Sequence, residues 1–328
     1  MRILFLLGEI SEGSGGIQSY SRNLLKAVSA SSSVRELDVL LLRGSPDAPH
    51  RTRISTSTSS KIRITLCGGG NSRLSKARFA AQALARAVAR RPGIVWCGHV
   101  NFLPVVLTLH FALRLPFALE THGWELKLAP RWILRHGIRR ARLIHAASRF
   151  TRDLILSIQP VDASTIRVLP RPADFDAFTP GPVPSGWAER LGLRGKKVLL
   201  TVGRLASTER YKGHEEVILA VKSLSEKHAD LCYVIVGEGD DRARLERIAQ
   251  EAGVRDRVLF PGPAGPGECI NYYRSCDVFV MPSRFEGFGI VYLEALACGK
   301  PVVAGDADGS SAALLDGRKA PVVIADER

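Results

Sequence analysis

Glu286 and Glu294 stand with seven residues between them, where an apolar run ends, a glycine-rich loop follows and an apolar helix is predicted from Ile290. The first turn of such a helix would offer backbone N–H groups near Gly289, and such groups bind anions. Carboxylates beside an anion would repel it unless they accept hydrogen bonds from neutral hydroxyls. The segment therefore favours a ligand that carries both phosphates and hydroxyls, as a nucleotide sugar does. The alternative is a helix whose glutamate only stabilises the helix dipole.

Two cations, Arg204 and Lys212, follow the predicted strand Val198–Val202. An arginine can hold a diphosphate as a planar fork and a lysine as a point charge. On spacing alone, solvated loop charges are the simpler interpretation.

Gly15 and Gly16 lie between the first predicted strand and a predicted helix, where a backbone without side chains can approach a phosphate closely. The segment departs from the dinucleotide-binding pattern G-x-G-x-x-G, and Ser14 stands where a P-loop has its lysine. These departures argue against a dinucleotide dehydrogenase and a P-loop NTPase. A flexible turn is the alternative.

Short apolar runs alternate with helical patterns along the chain, which predicts the α/β fold class with parallel sheets covered on both faces. The strands predicted in the first half are Ile3–Leu7, Leu37–Leu42, Ile62–Leu66, Ile94–Cys97, Phe117–Glu120, Leu143–His145 and Ile166–Leu169. Those predicted in the second half are Val198–Val202, Cys232–Val236, Val258–Phe260, Val278–Met281, Pro301–Ala304 and Val322–Ile324.

Five prolines from Pro170 to Pro184 interrupt this alternation and exclude a helix or a central strand there. We therefore expect two doubly wound, Rossmann-like domains, at residues 1–172 and 196–328, joined by a linker at residues 173–195. In such folds the ligand binds at the carboxyl ends of the strands. Two such domains joined by a hinge would face each other across a central cleft.

The composition fits a folded chain of two domains, since 45% of the 328 residues are hydrophobic and 24% are charged. The six cysteines include no C-x-x-C pair, so neither a disulfide scaffold nor a zinc site is expected. Asp306 and Asp308 form an Asp-x-Asp pattern, which we interpret as a polar loop before a helix rather than a metal site. No cofactor and no metal are expected.

The positive charge is concentrated in the first half of the chain. Residues 1–175 carry 26 basic and 10 acidic side chains, a net charge of +16, whereas residues 176–328 carry 20 and 22, a net charge of −2. Basic residues flank two predicted helices, Leu74–Arg90 and Arg131–Arg139, a pattern typical of helices on anionic membranes. Solvated helix faces are the alternative. We expect an anionic membrane surface as a partner of this half.

Two further classes are disfavoured. No aromatic-interleaved basic tract and no helix-turn-helix pattern is present, so nucleic-acid binding ranks low. The run Ile3–Leu7 is too short for a signal peptide, and the longest apolar stretch, Phe102–Leu113, is too short to cross a bilayer. We expect a cytoplasmic protein, attached at most peripherally to the inner face of the cell membrane.

Taken together, these segments resemble glycosyltransferase family 4, retaining enzymes of the GT-B fold. The combination is specific, whereas any single segment would be weak. The segments that match are Gly15-Gly16-Ile17-Gln18-Ser19, Thr121-His122-Gly123, Val202-Gly203-Arg204, Tyr211-Lys212-Gly213-His214, Val236-Gly237-Glu238-Gly239 and the run from Pro282 to Glu294, which holds the family's glutamate pair.

The resemblance implies transfer of a sugar from a nucleoside diphosphate donor, with retention at the anomeric carbon and without a protein nucleophile. It implies four catalytic residues: His122, Arg204, Lys212 and Glu286. The residues it implies for donor binding are Gly15, Gly16, Pro263, Ala264, Phe288, Gly289, Ile290 and Glu294. It places Gln18 near the acceptor.

The stretch from Ala206 to His214 is similar to mannosyltransferases of bacterial exopolysaccharide assembly, which favours GDP-mannose as donor and a glycan or polyprenyl-linked acceptor. The alternatives are a GT-B nucleotide-sugar epimerase and, ranked low, a basic nucleic-acid-binding protein. Family members usually continue with a final helical segment that packs back on the first domain. Because this chain stops at Arg328, we expect it to lack that segment.

Overall fold

A computed structural model of the chain describes residues 1–10, 16–44, 61–68, 72–314 and 322–325. The chain divides into two compact units, Met1–Pro170 and Arg171–Arg328. The division falls at the first of the five clustered prolines, and the residues predicted as a linker, 173–195, count with the second unit.

The first unit is built on a parallel sheet of seven strands in the order β3-β2-β1-β4-β5-β6-β7. The strands are β1 Arg2–Leu7, β2 Glu36–Leu41, β3 Ile62–Leu66, β4 Ile94–Cys97, β5 Phe117–Thr121, β6 Leu143–Ala146 and β7 Ile166–Val168. The helices are α1 Gly16–Ala30, α2 Arg73–Arg90, α3 Leu103–Leu113, α4 Glu125–Leu128, α5 Arg131–Arg140 and α6 Arg149–Ile158.

The second unit is built on a parallel sheet of six strands in the order β10-β9-β8-β11-β12-β13. The strands are β8 Lys197–Val202, β9 Leu231–Val236, β10 Val258–Gly262, β11 Val278–Met281, β12 Val302–Gly305 and β13 Val322–Ala325. The helices are α7 Trp187–Arg190, α8 His214–Ser225, α9 Arg242–Glu251, α10 Pro266–Ser275, α11 Ile290–Ala297 and α12 Ser310–Ala313.

The strands form where the sequence is continuously apolar, because helices cover the sheets on both faces. All six residues of β9 are buried, and in β1 only Arg2 is exposed. Serine caps set two of the helix starts. Ser72 accepts a hydrogen bond from the Ser75 N–H at the start of α2, and Ser148 does the same for the Thr151 N–H at α6.

In each sheet the strand order reverses beside the unit's first strand. In the first unit β1 lies between β2 and β4, and in the second β8 lies between β9 and β11. Doubly wound sheets bind ligands at such a reversal, beyond the carboxyl ends of the strands. The predicted fold class is confirmed in both units, and the loops after β8 and β11 are the expected place for a ligand in the second unit.

The end of the predicted linker takes part in the packing of the second unit. Trp187 of α7 is buried, its ring lies 5.0 Å from that of Tyr272, and its indole N–H donates to Ser275 Oγ at 3.3 Å. The cluster of prolines therefore marks the boundary between the two units. The core of the second unit, however, already includes Trp187, before the predicted start of that domain at residue 196.

Candidate functional site

The two predicted cations of the second unit meet at one buried carboxylate. Arg204 follows β8, and Lys212 ends a 3-10 helix that runs over Ser207–Lys212. Glu209 of that helix accepts a hydrogen bond from Arg204 through Oε1, and its Oε2 lies 2.9 Å from Lys212 Nζ. Since the Glu209 side chain is only 7% exposed, the two cations have a fixed anchor beneath them.

The two cations differ in exposure. The Arg204 side chain is 69% exposed and that of Lys212 only 12%. Arg204 can therefore move toward a ligand while Lys212 is held in place. Arg210, which lies between them in the sequence, is instead paired with Asp241 at 3.2 Å.

His214, the first residue of α8, adds no charge to this cluster. It is buried, and burial together with the charge of Lys212 lowers its pKa to about 3. The imidazole is therefore neutral at physiological pH.

The predicted loop glutamate, Glu286, lies in the loop that follows β11, the strand paired with β8. Its backbone is fixed by the loop after β12: the Glu286 N–H donates to Asp308, and its carbonyl accepts from the Gly309 N–H at 2.8 Å. Burial raises the pKa of Glu286, while the charge of Lys212 opposes the rise. The structure therefore brings Glu286 within the electrostatic reach of Lys212.

Gly289 shapes the start of α11. It has a φ of +77°, and a Cβ built on it would lie 2.3 Å from the ring of Tyr292. Both observations require glycine at this position. The chain can therefore turn directly from the buried Phe288 into Ile290, whose N–H belongs to the first helical turn, where anions bind.

Glu294 lies one turn further along α11 and is held by a tyrosine. The Tyr273 hydroxyl donates to Glu294 Oε2 at 2.7 Å, and burial raises the pKa of the carboxyl group. Pro263 and Ala264 follow the carboxyl end of β10, which is an edge strand of the same sheet. All the predicted residues of the second unit thus follow carboxyl ends of parallel strands or lie in the helix after such an end.

The first unit carries the predicted His122 after β5. Its Nε2 lies 3.0 Å from the Gly98 carbonyl, and its Nδ1 lies 4.0 Å from Glu120 Oε1. The Glu125 carboxylate accepts from the His122 backbone N–H at 2.5 Å. The ring also stacks on His99 at 5.7 Å. The imidazole is therefore held on two sides by groups of its own unit.

The other predicted residues of the first unit lie at the start of α1. Gly16 is exposed and Gln18 is partly buried, while the predicted Gly15 lies outside the described residues. Because α1 follows β1, both residues belong to the carboxyl edge of the first sheet.

Sequence reasoning missed Glu209 and Tyr273. An acid three residues before Lys212 is a weak signal for the first, since it could equally point to solvent. Tyr273 is 21 residues from Glu294 and carried no signal.

Asp308 of the Asp306-x-Asp308 pattern fixes the backbone of two loops. Asp308 is buried and accepts hydrogen bonds from the N–H groups of Glu286 and Ser310. Within the described ranges, no group of three or more His, Cys, Asp and Glu side chains could hold a metal ion.

In the part of the chain that the structure describes, no helix is both long and apolar enough to span a membrane.

Comparison with protein families gives two matches that follow the two units. Residues 14–177 match the model described as Glycosyltransferase Family 4, and residues 187–326 match the one described as Glycosyl transferases group 1.

Two curated proteins illustrate the relatives. A GDP-mannose-dependent alpha-(1-6)-phosphatidylinositol monomannoside mannosyltransferase of Mycolicibacterium smegmatis is 35% identical over 216 residues, which cover 62% of this chain and 56% of that protein. A D-inositol 3-phosphate glycosyltransferase of Corynebacterium jeikeium is 39% identical over 179 residues, covering 51% of this chain and 42% of that protein. The matched region thus spans about half the length of these relatives.

Solved structures share the fold at low identity. Anabaena HepE in complex with UDP and glucose has a TM-score of 0.77 at 22% identity, over 100% of this chain and 86% of that one. Sucrose-phosphate synthase of Thermosynechococcus elongatus has a TM-score of 0.79 at 20% identity, over 99% and 86%. With the two parallel sheets, these likenesses confirm the predicted GT-B fold class.

Proposed function

The chain belongs to glycosyltransferase family 4, and from that premise we propose that it is a retaining hexosyltransferase. It moves a sugar from a nucleoside diphosphate donor to a glycan or lipid-linked glycan acceptor. The observation that carries this proposal is the buried Glu209, which holds Arg204 and Lys212 together after β8, beside the strand that leads into Glu286. Paired cations suit a diphosphate, and a neighbouring carboxylate suits the hydroxyls of the attached sugar.

In the proposed reaction, the bond between the anomeric carbon and the diphosphate oxygen breaks, and the acceptor oxygen bonds to that carbon on the same face. The departing phosphate oxygen takes the acceptor's proton, so the protein supplies no nucleophile. Arg204 and Lys212 stabilise the negative charge that develops on the diphosphate. Such electrostatic stabilisation is usually the largest contribution to catalysis.

The remaining second-unit residues would bind the rest of the donor. We assign Glu286 to the hydroxyls of the donor sugar and Glu294 to those of the ribose. The first turn of α11, reached through Phe288, Gly289 and Ile290, would offer N–H groups to the diphosphate. The backbone of Pro263 and Ala264 would contact the base.

The first-unit residues follow the family resemblance. We assign Gly15 and Gly16 to the donor diphosphate, His122 to the donor sugar and Gln18 to the acceptor. The Gly98 carbonyl accepts from Nε2 of His122 at 3.0 Å, which holds the ring in one orientation.

GDP-mannose is the donor that we favour, and we propose that no metal is required. The support is the Mycolicibacterium relative, which is named as GDP-mannose-dependent. The solved Anabaena neighbour was crystallised with UDP and glucose, so a UDP-sugar is the competing donor. The acceptor would then be a glycan or polyprenyl-linked glycan.

A thermal-shift panel of GDP-mannose, UDP-glucose and ADP-glucose, run in EDTA, tests donor binding. A ligand at 100 times its Kd stabilises the native state by about 2.7 kcal/mol, which corresponds to a rise in Tm of roughly 5–10 °C. We expect GDP-mannose to give this rise and Lys212→Ala to abolish it. A shift that appears only when Mg²⁺ replaces EDTA would contradict the metal-free proposal.

Product analysis then tests the reaction itself. With GDP-mannose and a lipid-linked glycan, we expect NMR of the product to show the donor's anomeric configuration. An inverted product would overturn retention, and release of an epimerised sugar when acceptor is omitted would overturn the transferase proposal.

A further inference from the structure

An apolar groove lies on the first unit, between α3 and α5. Its volume is about 920 Å³, and its walls include Val100, Pro104, Leu107, Phe111, Trp132 and Ile133. Two of these side chains are turned to solvent: Phe111 is 58% exposed and Trp132 is 64% exposed. Pockets of this size hold organic ligands, and contiguous exposed apolar surface marks interaction sites.

The stretches of the chain that build the groove are strongly basic. Between Leu126 and Arg152 the chain has no Asp or Glu, and the same holds from His99 to Leu119. The cations of the first of these stretches are Lys127, Arg131, Arg135, Arg139, Arg140, Arg142 and Arg149. The Arg140 guanidinium lies 5.0 Å from the centre of the Phe111 ring, so charge and apolar surface meet at the groove itself.

The other basic helix, α2, differs in this respect. Arg90 of α2 is paired with Glu36 at 2.5 Å, and Arg86 is paired with Asp38. Both carboxylates belong to β2, so these arginines stabilise the packing of α2 on the sheet. In α5, Arg140 lies against Phe111 of the groove, so the charge of this helix borders the apolar surface of the groove.

We propose that this groove docks the protein on a bilayer rich in anionic lipid. Trp132 and Phe111 enter the interface between headgroups and acyl chains, where amphipathic aromatic rings are favoured. The arginines of α5 contact the lipid phosphates, and an acyl chain occupies the groove. Charge complementarity selects this occupant, since an apolar groove with a margin of arginines matches a surface that is apolar inside and anionic outside.

This inference goes beyond the proposed transfer, because docking requires neither donor nor acceptor. It would bring the first unit to the place where a lipid-linked acceptor resides. A vesicle-binding assay without donor therefore tests the docking separately from the transfer.

The first experiment measures co-sedimentation of the full chain with phosphatidylglycerol or phosphatidylcholine vesicles at low and high salt. We expect binding to phosphatidylglycerol that weakens as salt rises, because salt screens the arginine–phosphate attraction. Equal binding to both lipids, or none to phosphatidylglycerol, would overturn the proposal.

Charge variants make the assay specific to the groove. Each basic residue near an anionic surface contributes about 1 kcal/mol, or roughly fivefold in binding. The triple variant Arg131→Gln, Arg139→Gln, Arg140→Gln should therefore lose on the order of 100-fold in vesicle binding. The matched control, Arg194→Gln, Lys227→Gln, Arg247→Gln, removes the same charge from exposed positions of the second unit and should bind within twofold of the wild type. An equal loss in both would overturn the groove as the docking site.

Tryptophan fluorescence reports the depth of docking. Phosphatidylglycerol vesicles that carry a bromine- or doxyl-labelled acyl chain should quench the wild type, and Trp132→Phe should lose most of that quenching, since the exposed Trp132 lies at the groove. Quenching unchanged in Trp132→Phe would contradict insertion. Dimerisation without vesicles that Trp132→Ala abolishes would assign the groove to a second copy of the chain instead.

Discussion

At the scale of single residues, Glu209 fixes the positions of two cations of the second unit, Arg204 and Lys212. A carboxylate beneath two cations lowers their mutual repulsion, and it stays there because it is buried. A diphosphate would meet Arg204 and Lys212 already close together, so little side-chain entropy would be lost on binding. Glu209 is thus a positioning residue, with no contact to the substrate required.

Glu209→Gln tests this role. The amide keeps the shape but loses the charge, so we expect KM for the donor to rise about tenfold, or roughly 1.4 kcal/mol, with a smaller change in kcat. Steady-state kinetics measures the split, and circular dichroism checks the fold. Glu226→Gln, at an exposed position of α8's end, is the control and should match the wild type. A variant that loses only kcat would show that Glu209 acts on the chemistry directly.

Glu286 sets a pH dependence, since burial raises its pKa above the ordinary 4.5. The folded state then holds the proton more tightly than the unfolded state, so this group lowers stability as pH rises from the unfolded to the folded pKa. Binding of sugar hydroxyls requires the charged form and should fall as pH drops through the raised pKa.

The Glu286→Gln variant, followed from pH 4 to pH 8, checks both expectations. Its Tm relative to the wild type should rise with pH, because the amide has no charge to bury, and its transfer activity should be lost. The acid limb of wild-type kcat/KM should lie above pH 4.5. A Tm difference that stays constant over this range would contradict the raised pKa.

At the scale of elements, the turn at Gly289 joins the loop that carries Glu286 to helix α11. Gly289→Ala introduces a Cβ both at a φ of +77° and 2.3 Å from the Tyr292 ring. Gly186→Ala is a matched control, because Gly186 has a φ of +74° and no atom within 4 Å of the added Cβ. Both variants carry the backbone strain, of order 1 kcal/mol, and only the first carries the collision.

Urea unfolding separates the two contributions. We expect Gly186→Ala to cost about 1 kcal/mol and Gly289→Ala at least 2 kcal/mol more, with loss of donor binding as α11 shifts. Equal costs for the two variants would show that Tyr292 can move away from the added methyl group.

The strands were predictable because most of them are short apolar runs, and the central ones are buried on both faces. Every one of the thirteen predicted strands is present, and the largest difference is the extension of Val258–Phe260 to Gly262. The short helix Trp187–Arg190 was not predicted, since the prolines before it mask its signal. Its stability comes from burial of Trp187 against Tyr272, a contact across 85 residues that periodicity does not reveal.

The candidate site was predictable in residue type but not in geometry. The spacing of Glu286 and Glu294 reflects one loop and one helix, so it could be seen in the sequence. Glu209 holds Lys212, and Tyr273 holds Glu294. These contacts depend on the folded structure, so sequence spacing alone did not reveal them. The arginines of α2 and α5 look alike in the sequence, and only the structure shows that Arg86 and Arg90 of α2 pair with acids of β2.

At the scale of the whole molecule, the charge asymmetry corresponds to two different tasks. The first unit holds the excess of positive charge and the exposed apolar groove, whereas the second holds the buried Glu209 with Arg204 and Lys212. A basic unit for a lipid surface and a nearly neutral unit for a soluble donor is the division of labour that our two proposals describe.

The pairing of β8 with β11 has a consequence for how the protein acquires activity. The Thr201 hydroxyl of β8 donates a hydrogen bond to the Val280 carbonyl of β11, 79 residues away in the sequence. The pairing of these two strands brings the loop with Arg204 and Lys212 beside the loop with Glu286. Contacts so distant in sequence form late and slowly during folding. A chain still emerging from the ribosome would hold Arg204 and Lys212 long before Glu286 is synthesised, so donor recognition arrives only with completion of the second sheet.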